Sequence, residues 1–529
     1  MRPIQFTSTR ISPPGKPDTP VGIEEAIVRG LAPGGGLYVP SELPVLPRRA
    51  FDPTPLSYTD LAGLVLSPFF PGWEGGQLSS ILEAAYGAAA EHPYFDLPEI
   101  VPLRPVGAAG AVDGRSRLFI LELFHGRTCA FKDMALSVLG GFLRESLSRM
   151  GRKEPVLVLV ATSGDTGSAA LEGLSAVEGV HTAVFYPQQG TSEIQRLQMT
   201  TTGLERRYVA GIAGNFDDAQ NAVKKIFARA ARGEGPLAGI HLSSANSINI
   251  GRLLPQIVYY VAAWRALASR GALGAGGLMH VAVPTGNFGD ILAAKYAKAM
   301  GLPIGRLICA SNANKVLADF FETGVYDRRR ELVKTESPSM DILVSSNLER
   351  LLYMASGNDP ERVSALMGQL ATQGFFAVNE AEKAYCADFA AGWCSDSSAK
   401  SAIAQVWESD SLLIDPHTAT AVEVAMRLSS RITDDAPIVI ASTASPFKFP
   451  QACLDALASG LPEYEEGIGG EGRGDLGRAA QLAVLTGCAM PGSIFSLDSK
   501  KVLHDNVLPV DGMEDALGDY ARKNMGAKA

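Results

Sequence analysis

Cysteine is scarce in this 529-residue chain: six residues, at 129, 309, 386, 394, 453 and 488, with no CxxC pair and no histidine at zinc-finger spacing. That scatter excludes a sequence-defined zinc site or a disulfide scaffold and fits a reducing compartment, where buried thiols act as small apolar side chains. Positive charge is also short. The net charge is −9, the sequence pI is about 5.5, and Arg328-Arg329-Arg330 is the one compact basic run, read as a solvated face. Nucleic acid, which demands clustered cations, is therefore not an expected partner. No uninterrupted apolar run approaches the roughly 20 residues that span a bilayer. Residues Met1 to Gln5 carry no apolar leader core, so the expected compartment is the cytoplasm. There is no solenoid-period repeat and no GxxxxGK[ST] phosphate loop.

Apolar residues, by contrast, make up 46% of the chain and charged residues 19%, a globular balance with length for about three units. Three stretches share one design: an apolar run, a polar turn rich in glycine or hydroxyls, then a helical pattern. They are Val156 to Val160 leading into Thr162-Ser163-Gly164-Asp165-Thr166-Gly167, Met279 to Val283 leading into Gly286-Asn287-Phe288-Gly289-Asp290, and Ile438 to Ala441 leading into Ser442-Thr443-Ala444-Ser445. Glycines admit close backbone approach, and free amides at a helix start suit a phosphate. A fourth stretch, Leu118 to Phe124, runs into His125-Gly126-Arg127-Thr128-Cys129-Ala130-Phe131-Lys132 ahead of an amphipathic helix. A partly desolvated lysine there has its ammonium disfavoured, which frees the amine to join an aldehyde.

Such alternation predicts parallel sheets covered on both faces, with ligands at the strand C-terminal ends. The expected units are residues 1–105, an N-terminal domain; 106–240, a small α/β domain carrying Lys132; 241–450, a large α/β domain; and 451–529, an extension packing on the large domain. The glycine cluster Gly467 to Gly472 reads as a loop.

An aldehyde for a lysine, a phosphate for a glycine turn and a pyridine nitrogen for a hydroxyl belong together in pyridoxal 5′-phosphate. The chain resembles the threonine synthases, of the longer bacterial and fungal type, within the fold type II pyridoxal phosphate enzymes. The resemblance rests on Phe6 to Arg10, Gly30 to Pro40, the Lys132 segment, Ser163 to Gly167, Asn246 to Arg252, Gly286 to Asp290, Asp415 to Thr418 and Ser442 to Ala444, in the family's order. Arg127 departs from it, standing where the family usually has proline, and leaves open how stiff that turn is and whether an extra charge reaches the substrate.

That resemblance implies a tryptophan synthase β-like α/β fold with two open, mostly parallel sheets and an added N-terminal unit. It implies that Lys132 holds pyridoxal phosphate and moves protons, that Gly286, Asn287, Phe288, Gly289 and Asp290 form the phosphate turn, and that Thr443 faces the pyridine nitrogen. Asp290 is expected to cap the following helix. Asp165 is read equally as a group beside the coenzyme's phenolic oxygen and as a helix cap. Ser163, Thr166, Asn249 and Arg252 are candidates for the substrate's carboxylate or phosphate, whereas His125, His417 and Cys129 are read as structural. The implied reaction converts O-phospho-L-homoserine and water to L-threonine and phosphate, by γ-elimination and then β-addition of water, in a monomer or homodimer. Alternatives are a phospholyase of the same family that releases 2-oxobutyrate, and a phosphate-ligand-binding protein without catalysis.

Overall fold

The computed structural model describes residues 3–12, 19–52, 54–73, 76–87, 94–95, 99–112, 115–162, 164–432, 434–458 and 474–526, with the side chains of 108–116 and 217 outside the description. Ser163 and the glycine cluster 467–472 therefore lie outside the described residues. Two open sheets organise the fold. The larger has six strands in the order Phe389–Trp393, Ile304–Ser311, Met279–Pro284, Ile438–Ser442, Arg115–Glu122 and Leu103–Val112, parallel except for the last pair. The smaller has five parallel strands in the order Val507–Leu508, Arg207–Ile212, Val180–Pro187, Val156–Ala161 and His241–Ser244.

Period-two side-chain alternation explains why both sheets are covered twice. Along Val156–Ala161, Val156, Val158 and Val160 join one apolar cluster while Leu157, Leu159 and Ala161 join another. In the larger sheet Val439 and Ala441 face one layer, and Ile438 and Ile440 the opposite one. The helix Asp133–Arg149 buries Ala135, Leu136, Leu139, Phe142, Leu143 and Leu147, the stripe its 3.6-residue spacing predicts.

Three features cut across the boundaries drawn from sequence. The strand Arg115–Glu122 belongs to the six-stranded sheet, while its following helix packs beside Asp165–Leu174 of the smaller unit, so the chain crosses between units at Lys132. His241–Ser244 completes the five-stranded sheet rather than opening the larger unit. The extension splits. Ala479 and Leu482 of its helix Asp475–Thr486 pack on the outer layer of the large sheet, whereas Val507–Leu508 adds an edge strand to the small sheet and Met513, Leu517 and Ala521 cover that sheet's face. An edge strand's open backbone groups favour this pairing, which the tail's weak periodicity concealed.

The helix Leu348–Ala355 is one of the elements that tie the N-terminal segment to the large unit. Its Glu349 accepts hydrogen bonds from Thr9 Oγ1 at 2.5 Å and Arg10 Nε at 2.8 Å, and the buried Arg350 donates to the carbonyls of Tyr38 at 2.9 Å and Ile248 at 2.6 Å.

Candidate active site

The turn ahead of Lys132 is shaped by Asp133, whose buried carboxylate accepts from Thr128 N at 2.9 Å, Thr128 Oγ1 at 2.8 Å and the Tyr94 hydroxyl at 3.0 Å. Burial pushes that carboxyl up to about 6, against the opposing pull of the Thr128 donors. Gly126 is required at the fold-back, since a Cβ there would stand 2.5 Å from Asp133 Cβ. Three backbone bonds pin the turn to the end of Ile438–Ser442: Leu123 N to Ser442 O at 3.0 Å, Phe131 N to Thr443 O at 2.8 Å, and Ser445 N to Cys129 O at 3.0 Å. They seat Lys132 beside the hydroxyl-rich strand end.

Lys132 Nζ lies 3.1 Å from Asp165 Oδ2. Burial lowers the affinity of this amine for its proton, and Asp165 works in the opposite direction. Asp165 is itself buried, which alone would raise its carboxyl, but Lys132 and Lys448 outweigh that and hold it well below the usual carboxylate range. Its second oxygen accepts from Lys448 Nζ at 2.8 Å and Gln195 Nε2 at 2.7 Å. The cap role falls to Thr162, whose hydroxyl accepts from Gly164 N at 2.9 Å and Gly167 N at 3.2 Å. The Asp165 side chain makes no capping bond among the described residues, and its carboxylate is engaged by the two amines and Gln195 instead. Neither Lys448 nor Gln195 was singled out from sequence. A lone lysine in Phe447-Lys448-Phe449-Pro450 was the available signal, because a charge enclosed by aromatics needs a partner.

In the Gly286–Asp290 turn no backbone N–H donates to a protein acceptor among the described residues. Phe288 adopts φ +67°, and its buried ring packs on Phe321 and Phe389, so this residue presents its backbone and anchors the turn from behind. The turn's carbonyls are held from outside: Ser345 Oγ donates to Gly286 O at 2.7 Å, and Asn347 N and Nδ2 donate to Asn287 O at 3.0 and 3.1 Å. Asp290 does not cap its helix. Its Oδ1 accepts from the hydroxyls of Tyr259 and Tyr260, both at 2.5 Å, so two buried phenols take the place of the helix-start amides as its donors. Burial lifts this carboxyl to about 6, the tyrosines pulling the other way, and Oδ2 is buried without a partner among the described residues.

The remaining predicted residues divide. Arg252 is 3% exposed, donates one Nη1 bond to Ala245 O at 2.7 Å, and its Nε is buried without a partner among the described residues. Its positive charge is felt at Lys132. Asn249 departs from its expected role. Its amide nitrogen donates to Ile27 O and Ser244 O, each at 3.0 Å, and its oxygen accepts from Gly251 N at 2.9 Å, so all its N–H capacity is consumed in joining three segments. Thr166 is half-buried in the first turn of its helix. Thr443 is 7% exposed, and its hydroxyl makes no hydrogen bond among the described residues.

His417 is held between Asp415 Oδ2, 2.6 Å from its Nδ1, and the Ser339 N–H, which donates to its Nε2 at 3.2 Å. His125 pairs with Glu122 at 2.8 Å. The Arg127 guanidinium lies over the Tyr94 ring and 3.9 Å from Glu172, which directs its charge onto the protein. Cys129 is buried at φ +58° with Sγ 3.2 Å from Ser493 Oγ. Among the described residues no group of three metal-ligating side chains occurs, and no helix is long and apolar enough to cross a membrane.

An unpaired amide turn, a buried amine and an unengaged hydroxyl at adjacent strand ends fit the phosphate, aldehyde and ring nitrogen of pyridoxal phosphate. Residues 98–444 match the family model described as pyridoxal-phosphate dependent enzyme, and residues 5–86 match the threonine synthase N terminus. The threonine synthase of Pseudomonas aeruginosa is 38% identical over 471 residues, covering 87% of this chain and 92% of that protein. The human protein named threonine synthase-like 1 is 39% identical over 448 residues and covers 82% of this chain, but the chain spans only 58% of that relative's length. Among solved structures, the PLP-bound threonine synthase from Brucella melitensis superposes with a TM-score of 0.82 at 33% identity, covering 99% of this chain and 100% of that one. Yeast threonine synthase gives the same TM-score at 32% identity, covering 98% and 99%.

Proposed function

Because this chain belongs to the threonine synthases among the pyridoxal-phosphate-dependent enzymes, we propose that it converts O-phospho-L-homoserine and water into L-threonine and phosphate. The observation carrying this reading is Lys132, a buried amine paired with Asp165 and seated by the Phe131–Thr443 bond beside a strand-end hydroxyl. When bound, pyridoxal phosphate supplies an electron sink for the carbanions that form at the substrate's Cα and Cβ. Lys132 would hold the coenzyme through its Nζ, and as a free amine it would move protons at those two carbons. The amides of Gly286 to Asp290 would hold the coenzyme phosphate. Thr443 would offer the pyridine nitrogen a neutral hydroxyl, a partner that does not protonate it.

Asp165 steadies the Lys132 amine while burial keeps it from holding a proton too firmly. Arg252, whose buried Nε has no partner among the described residues, is positioned to take the substrate's carboxylate or phosphate. Ser163 and Thr166 retain their proposed part in the same contact. Asn249 acts one step removed, by fixing the segment that carries Arg252.

The test is product analysis with O-phospho-L-homoserine. Threonine and phosphate in equal amounts from the wild type, with loss of both and of the visible coenzyme band in Lys132→Ala, is the expected outcome. Equal 2-oxobutyrate and ammonia would identify a phospholyase, and a protein with neither band nor turnover would be a binder.

A further inference from the structure

Lys448 is the most completely enclosed ammonium near the site, 1% exposed, on a 3-10 turn that follows the Ser442–Ser445 strand end. Its Nζ is 2.8 Å from Asp165 Oδ1 and donates to Thr128 O at 2.7 Å. Asp165 thus bridges two amines, with Lys132 on Oδ2 and Lys448 on Oδ1. A buried ammonium without a counter-charge is costly, and so is a buried carboxylate.

Lys132 cannot be a permanent partner for Asp165 if it holds a coenzyme and then carries protons, an inference that rests on the function proposed above. Each time Lys132 became neutral, a carboxylate paired with it alone would lose its counter-ion in a dry setting, and would instead tend to keep the proton on Lys132. We propose that Lys448 is a positioning residue: the permanent counter-ion that keeps Asp165 ionised and in place while the charge on Lys132 comes and goes, and that divides the carboxylate so that Lys132 can release its proton.

The surroundings of this trio come from every neighbouring element. Gln195 donates to Asp165 Oδ1 at 2.7 Å, Ser339 Oγ lies 3.5 Å from Oδ2, Arg252 and Asp290 act on Lys132 from two further helices, and Asp133 feels Lys448 from the helix behind the turn. Apart from Lys132, Lys448 is the cation in direct contact with Asp165 among the described residues. Thr128 O adds a second function: through Lys448 the Asp165 helix and the turn that aims Lys132 are locked to the same ammonium.

The pH midpoint at which Lys132 becomes reactive to acetic anhydride in the coenzyme-free protein, read peptide by peptide by mass spectrometry, tests this role. Lys448→Met should raise the midpoint by about one pH unit, since a like charge leaves and Asp165 is shared no longer. Lys448→Arg should leave it within about 0.3 unit of wild type, because the charge is retained. Asp165→Asn should lower it, and Asp165→Asn with Lys448→Met should bring it back toward wild type. Thermal unfolding identifies any variant that fails to fold, and if Lys448→Met does, the comparison of Asp165→Asn with the double variant decides. A midpoint unmoved by loss of the Lys448 charge overturns the proposal, since a purely structural lysine would alter stability alone. Borohydride trapping of the loaded variants separates the two readings: coenzyme on another residue refutes the proposed function, whereas coenzyme on Lys132 with an unmoved midpoint refutes only the role of Lys448.

Discussion

Phe131 donates its backbone N–H to the Thr443 carbonyl across 2.8 Å, joining segments more than 300 residues apart and putting Lys132 one residue from a direct bond to the strand end that carries the Thr443 hydroxyl. A backbone bond of this kind fixes direction as well as distance, so the amine is aimed by main chain and not by a flexible stem alone. Other contacts in and around the site lend themselves to the same sort of test.

Arg252→Gln should raise KM for O-phospho-L-homoserine by about tenfold or more, the loss expected for one charge-assisted contact. Glutamine retains a donor for Ala245 O, so the melting temperature should change little. Steady-state kinetics beside a melting curve make the comparison, and an unchanged KM would remove Arg252 from the substrate contact.

Gly286→Ala should weaken pyridoxal phosphate binding by about tenfold or more, as a misplaced phosphate turn loses charge-assisted bonds. An added Cβ would stand 2.9 Å from Ser339 O, which is main chain and yields only if the 337–341 segment shifts. Equilibrium titration of the coenzyme-free protein measures the effect.

The Asp290 carboxyl is lifted by burial to about 6. In the unfolded chain it loses its proton near 3.8, so the folded state binds the proton more tightly and the stabilisation is full below that value. It is lost as pH rises through about 6. Asp290→Asn, tested without coenzyme, should flatten stability between these limits and raise it at pH 7.5 by on the order of 2 kcal/mol. Urea denaturation across that range reads it, and an undiminished slope would assign the pH dependence elsewhere, Asp133 being the first alternative.

Arg350→Leu should destabilise the protein by about 3 kcal/mol or more, because three acceptors, two of them buried and one partly so, lose their donor together. Two of these are the Tyr38 and Ile248 carbonyls and the third is Asn347 Oδ1, whose residue also holds Asn287. Release of the N-terminal segment to limited proteolysis, together with weaker coenzyme binding, is the expected pair of readouts.

Much of the architecture was legible in local pattern. Val156 to Val160, Met279 to Val283 and Ile438 to Ala441 read as strands ending in polar turns, and all three are parallel-paired strands of the two main sheets with those turns at their C-terminal ends. Lys132 stood out for the same reason, as a lone amine at such a turn, and the fold buries it beside Asp165. Asn249 was misjudged, since an asparagine in a motif looks identical whether its amide faces a ligand or joins Ile27 to Ser244. Asp290 likewise looked like a cap because Tyr259 and Tyr260, about thirty residues away, were not visible as its donors.

By itself the chain's order of residues determined what depends on near neighbours: which runs form strands, which helices carry an apolar stripe, where glycine opens a turn, and which lysine follows it. Tertiary structure alone decided the partners. It set Lys448 against Asp165, gave the tail's last strand to the smaller sheet and tied Arg10 to Glu349. Buried charges and sheet edges are satisfied by whatever the fold brings within about 3 Å, and that proximity is a property of the packed chain rather than of any segment of it.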